Sequence, residues 1–154
     1  MMDCQEMVPA LRFRIPGVPQ GKGRPRFDPR SGRAVTPAKT RSFEAFVGVC
    51  ARQSMALAGA REPFSGPIAR RLWAVFGRPK RTPAGHVCAD EPGRVPLATG
   101  GPKPDLSNIV KAIEDGIQGV VSHDACQVFA VEAQRLYGEI GEDPGVLVEV
   151  WRRR

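Results

Sequence analysis

Apolar and polar residues alternate in four stretches of the chain, a pattern typical of half-buried β-strands. The alternating stretches span residues 11–15, 68–76, 128–137 and 146–151, and the first of them ends at Pro16-Gly17. A connection rich in glycine and acidic residues, with one proline, joins the last two stretches over residues 138–145. Such a connection predicts that these two strands form a hairpin.

Two further stretches carry apolar residues at helical spacing. Thr36-Pro37 predicts the start of a first helix, with threonine as its cap and proline at its first position. The apolar period then runs until Gly59 through Phe43, Phe46, Val47, Cys50, Ser54 and Leu57. Asp105 is placed to cap a second helix, whose apolar side carries Leu106, Ile109, Val110, Ile113 and Ile117.

The order of these elements is strand, helix, strand, long loop, helix, strand, strand. This order predicts an α+β fold, with a mixed four-stranded sheet and two main helices packed on one face. We expect residues 1–10 to form a flexible tail and residues 11–154 to form a single domain. Residues 77–104 contain six prolines and five glycines without periodicity. A loop of this length is typical either of a mobile flap over a site or of disorder without a role.

The second predicted helix has an ordered polar side next to its apolar one. Asn108, Lys111 and Asp115 stand at positions i, i+3 and i+7, and Asp105 stands at the N-terminal end of the same side. An amide, an ammonium and two carboxylates in this arrangement indicate a site.

The composition indicates one globular domain: 154 residues, of which 42% are hydrophobic and 25% charged. No apolar run is long enough to cross a membrane, and the first residues lack the features of a signal peptide. We therefore expect a soluble, cytoplasmic protein without a membrane partner. The four cysteines and two histidines are scattered and lack the spacing of a zinc site or a disulfide framework.

The net charge of +7 is unevenly distributed. Residues 12–41 contain nine Lys or Arg and one acid, whereas residues 105–149 contain nine acids and two bases. A basic segment and an acidic cluster are what a metal-dependent enzyme acting on a polyanion needs, because a divalent cation can sit between carboxylates and phosphate. A solvated basic surface with an acidic sheet edge explains the same distribution.

The basic segment begins with a loop punctuated by glycine and proline, Gln20-Gly21-Lys22-Gly23-Arg24-Pro25-Arg26-Phe27. It lacks the Gly-Lys-Ser/Thr of a P-loop. Its backbone is free to lie close to phosphates, and we expect Phe27 to belong to the core. Lys22, Arg24, Arg26, Arg33, Lys39 and Arg41 are the predicted DNA-binding residues, acting on the DNA backbone with little base reading.

The acids of the second half suit Mg²⁺, with Mn²⁺ as an alternative, better than zinc. Asp105 and Asp115 lie ten residues apart, which is about 15 Å along one helix, so they do not share an ion through helix geometry alone. The predicted metal centre therefore combines Asp105 and Asp124, with Lys111 beside them, and Asp115 near Lys111. Glu114 is an additional candidate ligand for the metal ion. For each acid taken singly, a helix cap or a surface ion pair is the simpler interpretation.

Several motifs together resemble RusA-type Holliday-junction resolvases. They are Lys103-Pro104-Asp105-x-x-Asn108-x-x-Lys111-x-x-x-Asp115-Gly116-Ile117-x-Gly119-Val120, Asp124-x-x-Gln127-Val128, Ile15-Pro16-Gly17, Lys22-x-Arg24-Pro25-Arg26-Phe27 and Thr36-Pro37. The resemblance covers most of residues 11–151. It implies a homodimer with a mixed α/β fold, encoded by a phage or prophage, that binds four-way DNA junctions. It also implies Mg²⁺-dependent paired nicks, with Asp105 and Lys111 in catalytic positions and Asp115 and Asp124 at positions of further family acids.

The chain departs from that family at two positions. Ser107 stands where the family usually has a second catalytic aspartate, and Ala125 stands where it has the catalytic member of an aspartate pair. Three interpretations stay open. Asp124, Glu114 or Asp115 has taken over metal binding in a working endonuclease; the chain is a weakened or inactive form that binds branched DNA; or the acids are structural in another DNA-binding module.

Overall fold

The computed structural model describes residues 7–79, 92–97 and 103–153. The chain forms β1 (Met7–Pro16), β2 (Arg26–Asp28), β3 (Arg33–Val35), α1 (Ala38–Leu57), β4 (Ile68–Phe76), β5 (Val95–Pro96), α2 (Leu106–Ile117), β6 (Val128–Tyr137) and β7 (Gly145–Arg153). The predicted α+β class is confirmed. The mixed sheet has five strands rather than four because β5 is added at its edge, and β2 and β3 form a small separate sheet.

The sheet is organised around β4, since its strand order is β1-β7-β4-β6-β5. Strand β4 pairs antiparallel with β7 and parallel with β6. The predicted hairpin of β6 and β7 is therefore wrong, because β4 lies between these two strands. The 138–145 connection does reverse the chain direction, but β4 is buried along most of its length and takes the central place.

One face of the sheet packs against both helices and forms the core. Leu11, Phe13 and Ile15 of β1 are buried there as predicted. The buried stripe of α1 consists of Phe43, Val47, Ala51 and Met55, at a spacing of four residues. Phe46 and Leu57 were expected in this stripe but are 41% and 91% exposed, and Phe27 is also exposed. None of the helices in the described segments is long and apolar enough to cross a membrane.

The opposite face of the sheet carries charges that alternate from strand to strand. Arg12 of β1 lies beside Glu149 of β7, and Arg71 of β4 is bonded to Glu132 of β6 at 2.9 Å. The Arg71 guanidinium also lies 5.1 Å from the centre of the Trp151 ring. These charges are paired with one another, so this face is less suited to phosphate than the helix side.

The predicted tail (residues 1–10) and the predicted long loop (residues 77–104) fall partly outside the described residues. Strand β1 begins at Met7, so residues 7–10 belong to the sheet and not to a tail, whereas residues 1–6 lie outside the description. Most of the predicted 77–104 loop also lies outside it, except for residues 77–79, 92–97 and 103–104.

The helices α1 and α2 cross at two glycines. A Cβ atom added at Gly116 would lie 2.8 Å from the Val47 Cβ and 3.0 Å from the Glu44 carbonyl oxygen. A Cβ added at Gly48 would lie 3.1 Å from the Gly116 carbonyl oxygen. Glycine at position 116 therefore sets the distance between the two helices that carry most of the candidate site.

We expect Gly116→Ala to lower the free energy of unfolding by about 1–3 kcal/mol, because the added methyl group overpacks the crossing. This loss must exceed the gain of ~1 kcal/mol that alanine brings to a helix. Urea unfolding measures it, with Gly77→Ala as control since a Cβ there meets nothing within 4 Å. A Gly116→Ala protein as stable as the control would contradict the close crossing.

Candidate nucleic-acid interface at the start of helix α2

Asp105 is the N-cap of α2, as the sequence predicted. Its Oδ1 accepts hydrogen bonds from the Asn108 backbone amide at 2.9 Å and from the Ser107 hydroxyl at 3.0 Å. Its Oδ2 accepts a longer bond of 3.3 Å from the Asn108 side-chain amide. The residue adopts an extended backbone, which is the usual conformation of a cap. The polar side of α2 therefore begins with a carboxylate fixed by its own first turn.

The surroundings of Asp105 favour its ionised form. The hydrogen bond from the Asn108 amide, followed by that from the Ser107 hydroxyl, holds the pKa of Asp105 below its usual value. The positive charges of Arg135 and Lys111 lower this pKa further. Asp105 is thus a carboxylate at neutral pH, in a region whose other charges are mostly positive.

The glycine-rich loop lies directly on the starts of both helices. The Lys22 amide donates to the Asn108 carbonyl at 3.1 Å, and the Gly23 amide donates to the Thr40 hydroxyl at 2.9 Å. A Cβ at Gly21 would lie 2.6 Å from the Pro104 Cβ. The loop needs glycine here because its backbone packs against Pro104 without room for a side chain.

An open cleft results between the loop, the start of α1, the start of α2 and the end of β6. Asp105 and Asn108 line it together with cations from four parts of the chain: Arg24, Arg26, Lys39, Lys103 and Arg135. A second hollow adjoins it and contains Lys111 beside Arg24 and Asn108. We call the first of these the cationic cleft.

The cationic cleft contains three of the six predicted DNA-binding residues: Arg24, Arg26 and Lys39. Arg33 and Arg41 are exposed on β3 and on the first turn of α1, outside its lining. Lys22 lies next to it, but its ammonium is paired with the carboxylate of Asp115. A phosphate contact by Lys22, Arg33 or Arg41 stays a prediction.

Sequence reasoning missed Arg135. Its guanidinium donates to the Pro104 carbonyl at 2.9 Å and fastens the segment before Asp105 to strand β6. The only signal was an arginine in a predicted strand, on the side that also carries the core-packing residues Ala133 and Tyr137. A lone charge at such a position indicates a specific partner, because a charge is costly to bury without one.

Two of the candidate acids have structural partners. Asp115 pairs with Lys22 and not with Lys111. Glu114 pairs with the buried guanidinium of Arg70, whose other nitrogen donates to the Ser122 hydroxyl at 2.8 Å. Both carboxylates are thereby engaged away from Asp105.

Asp124 lies at the other end of α2. It caps the 3₁₀ turn Ala125–Gln127, and Gln127 donates to the carbonyls of Phe64 and Gly66. The α2 helix has 12 residues and is about 18 Å long. Strand β6 begins at Val128, next to this turn, and reaches Arg135, which lines the cationic cleft with Asp105. The distance along the strand between these two residues is about 23 Å. Asp105 and Asp124 therefore do not meet within one chain.

These positions decide how well one chain suits the predicted Mg²⁺. At the start of α2 the donor set is one carboxylate, one hydroxyl and one side-chain amide, from Asp105, Ser107 and Asn108. Magnesium is usually held by more than one carboxylate or by a carboxylate and substrate phosphates. Within residues 7–79, 92–97 and 103–153, no group of three or more His, Cys, Asp or Glu side chains could hold a metal ion. Without substrate phosphates, the described residues of a single chain do not complete a divalent centre here.

A family model and a curated relative both match the chain. The model of the family described as Endodeoxyribonuclease RusA matches residues 16–151. "Uncharacterized protein YqaN" of Bacillus subtilis (strain 168) is 26% identical over 140 residues, which cover 90% of this chain and 91% of YqaN. The matched range contains every element from α1 to β6 and all the residues of the cationic cleft.

Proposed function

The chain belongs to the RusA endodeoxyribonuclease family, and from this premise we propose that it binds four-way DNA junctions through the cationic cleft. One observation carries the proposal: cations from four parts of the chain surround a single ionised carboxylate at the start of a helix. A phosphodiester backbone is the polyanion that such a cleft suits, because each cation can replace a counterion released from DNA.

The cleft would bind DNA by charge and shape. Arg24 and Arg26 present planar guanidinium groups, which can donate two parallel hydrogen bonds to one phosphate. Lys39 and Lys103 add point charges at the rim. Phosphate contacts position a duplex without reading its sequence, so we expect discrimination by branch geometry and not by bases.

Nuclease activity is the family's chemistry, and its resolvases depend on divalent metal ions. We propose that this step is weakened in the present chain, since its residues at the start of α2 supply one carboxylate. Asp105 would face the phosphate to be cut, and Lys111 would offset negative charge that develops on it.

A fully active, Mg²⁺-dependent resolvase is the second candidate. The match over residues 16–151 and the placement of Asp105 and Lys111 on the same side of α2 favour it. Paired nicks would need two copies, so we also propose a homodimer, for which the exposed Phe46, Val49 and Leu57 of α1 are candidate contacts. The cytoplasmic location and the phage or prophage origin stay predictions.

A labelled synthetic four-way junction separates the two candidates. We expect gel-shift binding in chelator to be tight, to exceed binding to a linear duplex, and to survive Asp105→Asn, since asparagine is also a good helix cap. Nicking in Mg²⁺ or Mn²⁺ should be slow or undetectable. Rapid paired nicking that Asp105→Asn abolishes would establish the second candidate, and equal affinity for linear and branched DNA would contradict the first.

A further inference from the structure

Lys22 is placed differently from the other cations of its loop. Its backbone amide donates to the Asn108 carbonyl of α2 at 3.1 Å, while the next residue, Gly23, donates to Thr40 of α1. The backbone of the loop is thus bonded to α2 at Lys22 and to α1 at Gly23. Arg24 and Arg26, which follow at once, line the cationic cleft.

The Lys22 ammonium is bound by carboxylates from both helices. It pairs with Asp115 of α2 and lies 3.8 Å from the Oε1 atom of Glu44 in α1. That Glu44 oxygen is buried and has no hydrogen-bond partner in the described part of the chain. The hydrogen bond to Asp115 raises the pKa of Lys22 above its usual value, so the ammonium stays charged throughout the neutral range. Two carboxylates therefore compete with phosphate for this ammonium.

We propose that Lys22 is a positioning residue: it fastens the loop of residues 20–26 to α1 and α2 so that Arg24 and Arg26 face the cleft. The inference rests on the proposed DNA binding and deepens it. A Lys22 that contacted phosphate would share its ammonium between that phosphate and the carboxylates of Asp115 and Glu44. Because Lys22 is bound by both carboxylates, the loop is ordered before DNA arrives. The free energy needed to order the loop then does not reduce the affinity for DNA.

The salt dependence of junction binding distinguishes the two roles. Loss of one phosphate contact reduces the slope of log K against log salt by about 0.9. For Lys22→Met we expect an unchanged slope, with affinity reduced by about threefold to tenfold at every salt concentration, which is the cost of ordering about one side chain on binding. Lys22→Arg should restore the affinity, because a guanidinium also reaches both carboxylates.

For Asp115→Asn, the two roles of Lys22 predict opposite changes in junction affinity. If Lys22 contacts phosphate, removal of its carboxylate partner frees the ammonium for that contact, and the affinity rises. If Lys22 positions the loop, Asp115→Asn loosens the loop and affinity falls despite the added positive charge. We expect the fall; a rise would overturn the proposal.

Amide hydrogen exchange tests the same contact without DNA. The amides of Lys22 and Gly23 should exchange faster in Lys22→Met than in the parent protein and should be protected again in Lys22→Arg. Unchanged exchange together with a slope reduced by about 0.9 would make Lys22 a phosphate contact. Unchanged exchange, slope and affinity would make the ion pair a surface feature without a role. If the parent protein binds no junction, the function proposal fails, while the exchange result still decides the loop contact.

Discussion

Ser107→Asp is expected to create a divalent-metal site at the start of α2, where the described residues supply a single carboxylate, that of Asp105. The Ser107 hydroxyl lies 3.0 Å from the Asp105 Oδ1, so a carboxylate at position 107 would stand beside that of Asp105 in the first turn of α2. Two adjacent carboxylates can bridge or jointly bind one Mg²⁺ or Mn²⁺, and the positive end of the helix tolerates the second charge. We expect Mn²⁺ to bind at least about tenfold tighter, since even partners outside the metal's first ligand shell change affinity by ten- to hundredfold.

Calorimetry or the electron paramagnetic resonance of Mn²⁺ measures this gain without reference to activity. The double variant Asp105→Asn, Ser107→Asp has the parent's net charge and should lose the site again. Ala125→Asp is a second control, because position 125 lies at the far end of α2 and adds no ligand at Asp105 within one chain. A Mn²⁺ affinity of Ser107→Asp equal to that of the parent would contradict the placement of these two side chains. A gain from Ala125→Asp that Asp105→Asn abolishes would show that a second copy completes the site.

Much of the fold could be predicted from local pattern, and the hairpin shows where such prediction ends. Period-two and helical spacing located β1, β4, β6, β7, α1 and α2, because each buries one face against the same core. Strand neighbours are a different matter. The 138–145 connection encodes a reversal of direction, but whether β6 and β7 touch depends on how well β4 is buried between them, and that is a property of the whole sheet.

In the candidate site, too, local features could be predicted and long-range contacts could not. Asp105 could be predicted as a cap because the capping pattern is local: its side chain accepts a hydrogen bond from the backbone amide of Asn108, three residues later. Whether Asp105 and Asp124 meet depends on the path of the chain after α2, and that path keeps the residues before Asp124 at the C-terminal end of the helix, opposite Asp105. The partners of Arg135 and Lys22 lie 31 and 93 residues away along the chain, so no local pattern could reveal them.

Removal of the two cleft arginines is expected to produce the largest loss of DNA binding. In Arg24→Met, Arg26→Met, the slope of log K against log salt should fall by about 1.8, which is two phosphate contacts at ~0.9 each. The loss of affinity should be greatest at low salt, where the release of counterions contributes most. Fluorescence anisotropy of a labelled four-way junction over a salt series provides both quantities.

The chain offers a control with the same change in net charge. Arg52 and Arg61 are exposed around a hollow at the far end of α1, away from Asp105. In Arg52→Met, Arg61→Met, the long-range field changes as much as in the cleft variant, but we expect the salt slope to stay that of the parent. An equal fall in both variants would mean that DNA is held by the overall charge of +7, and the cationic cleft would then have no special part in binding. A fall confined to Arg24→Met, Arg26→Met would place the phosphates beside Asp105, as the proposed function expects.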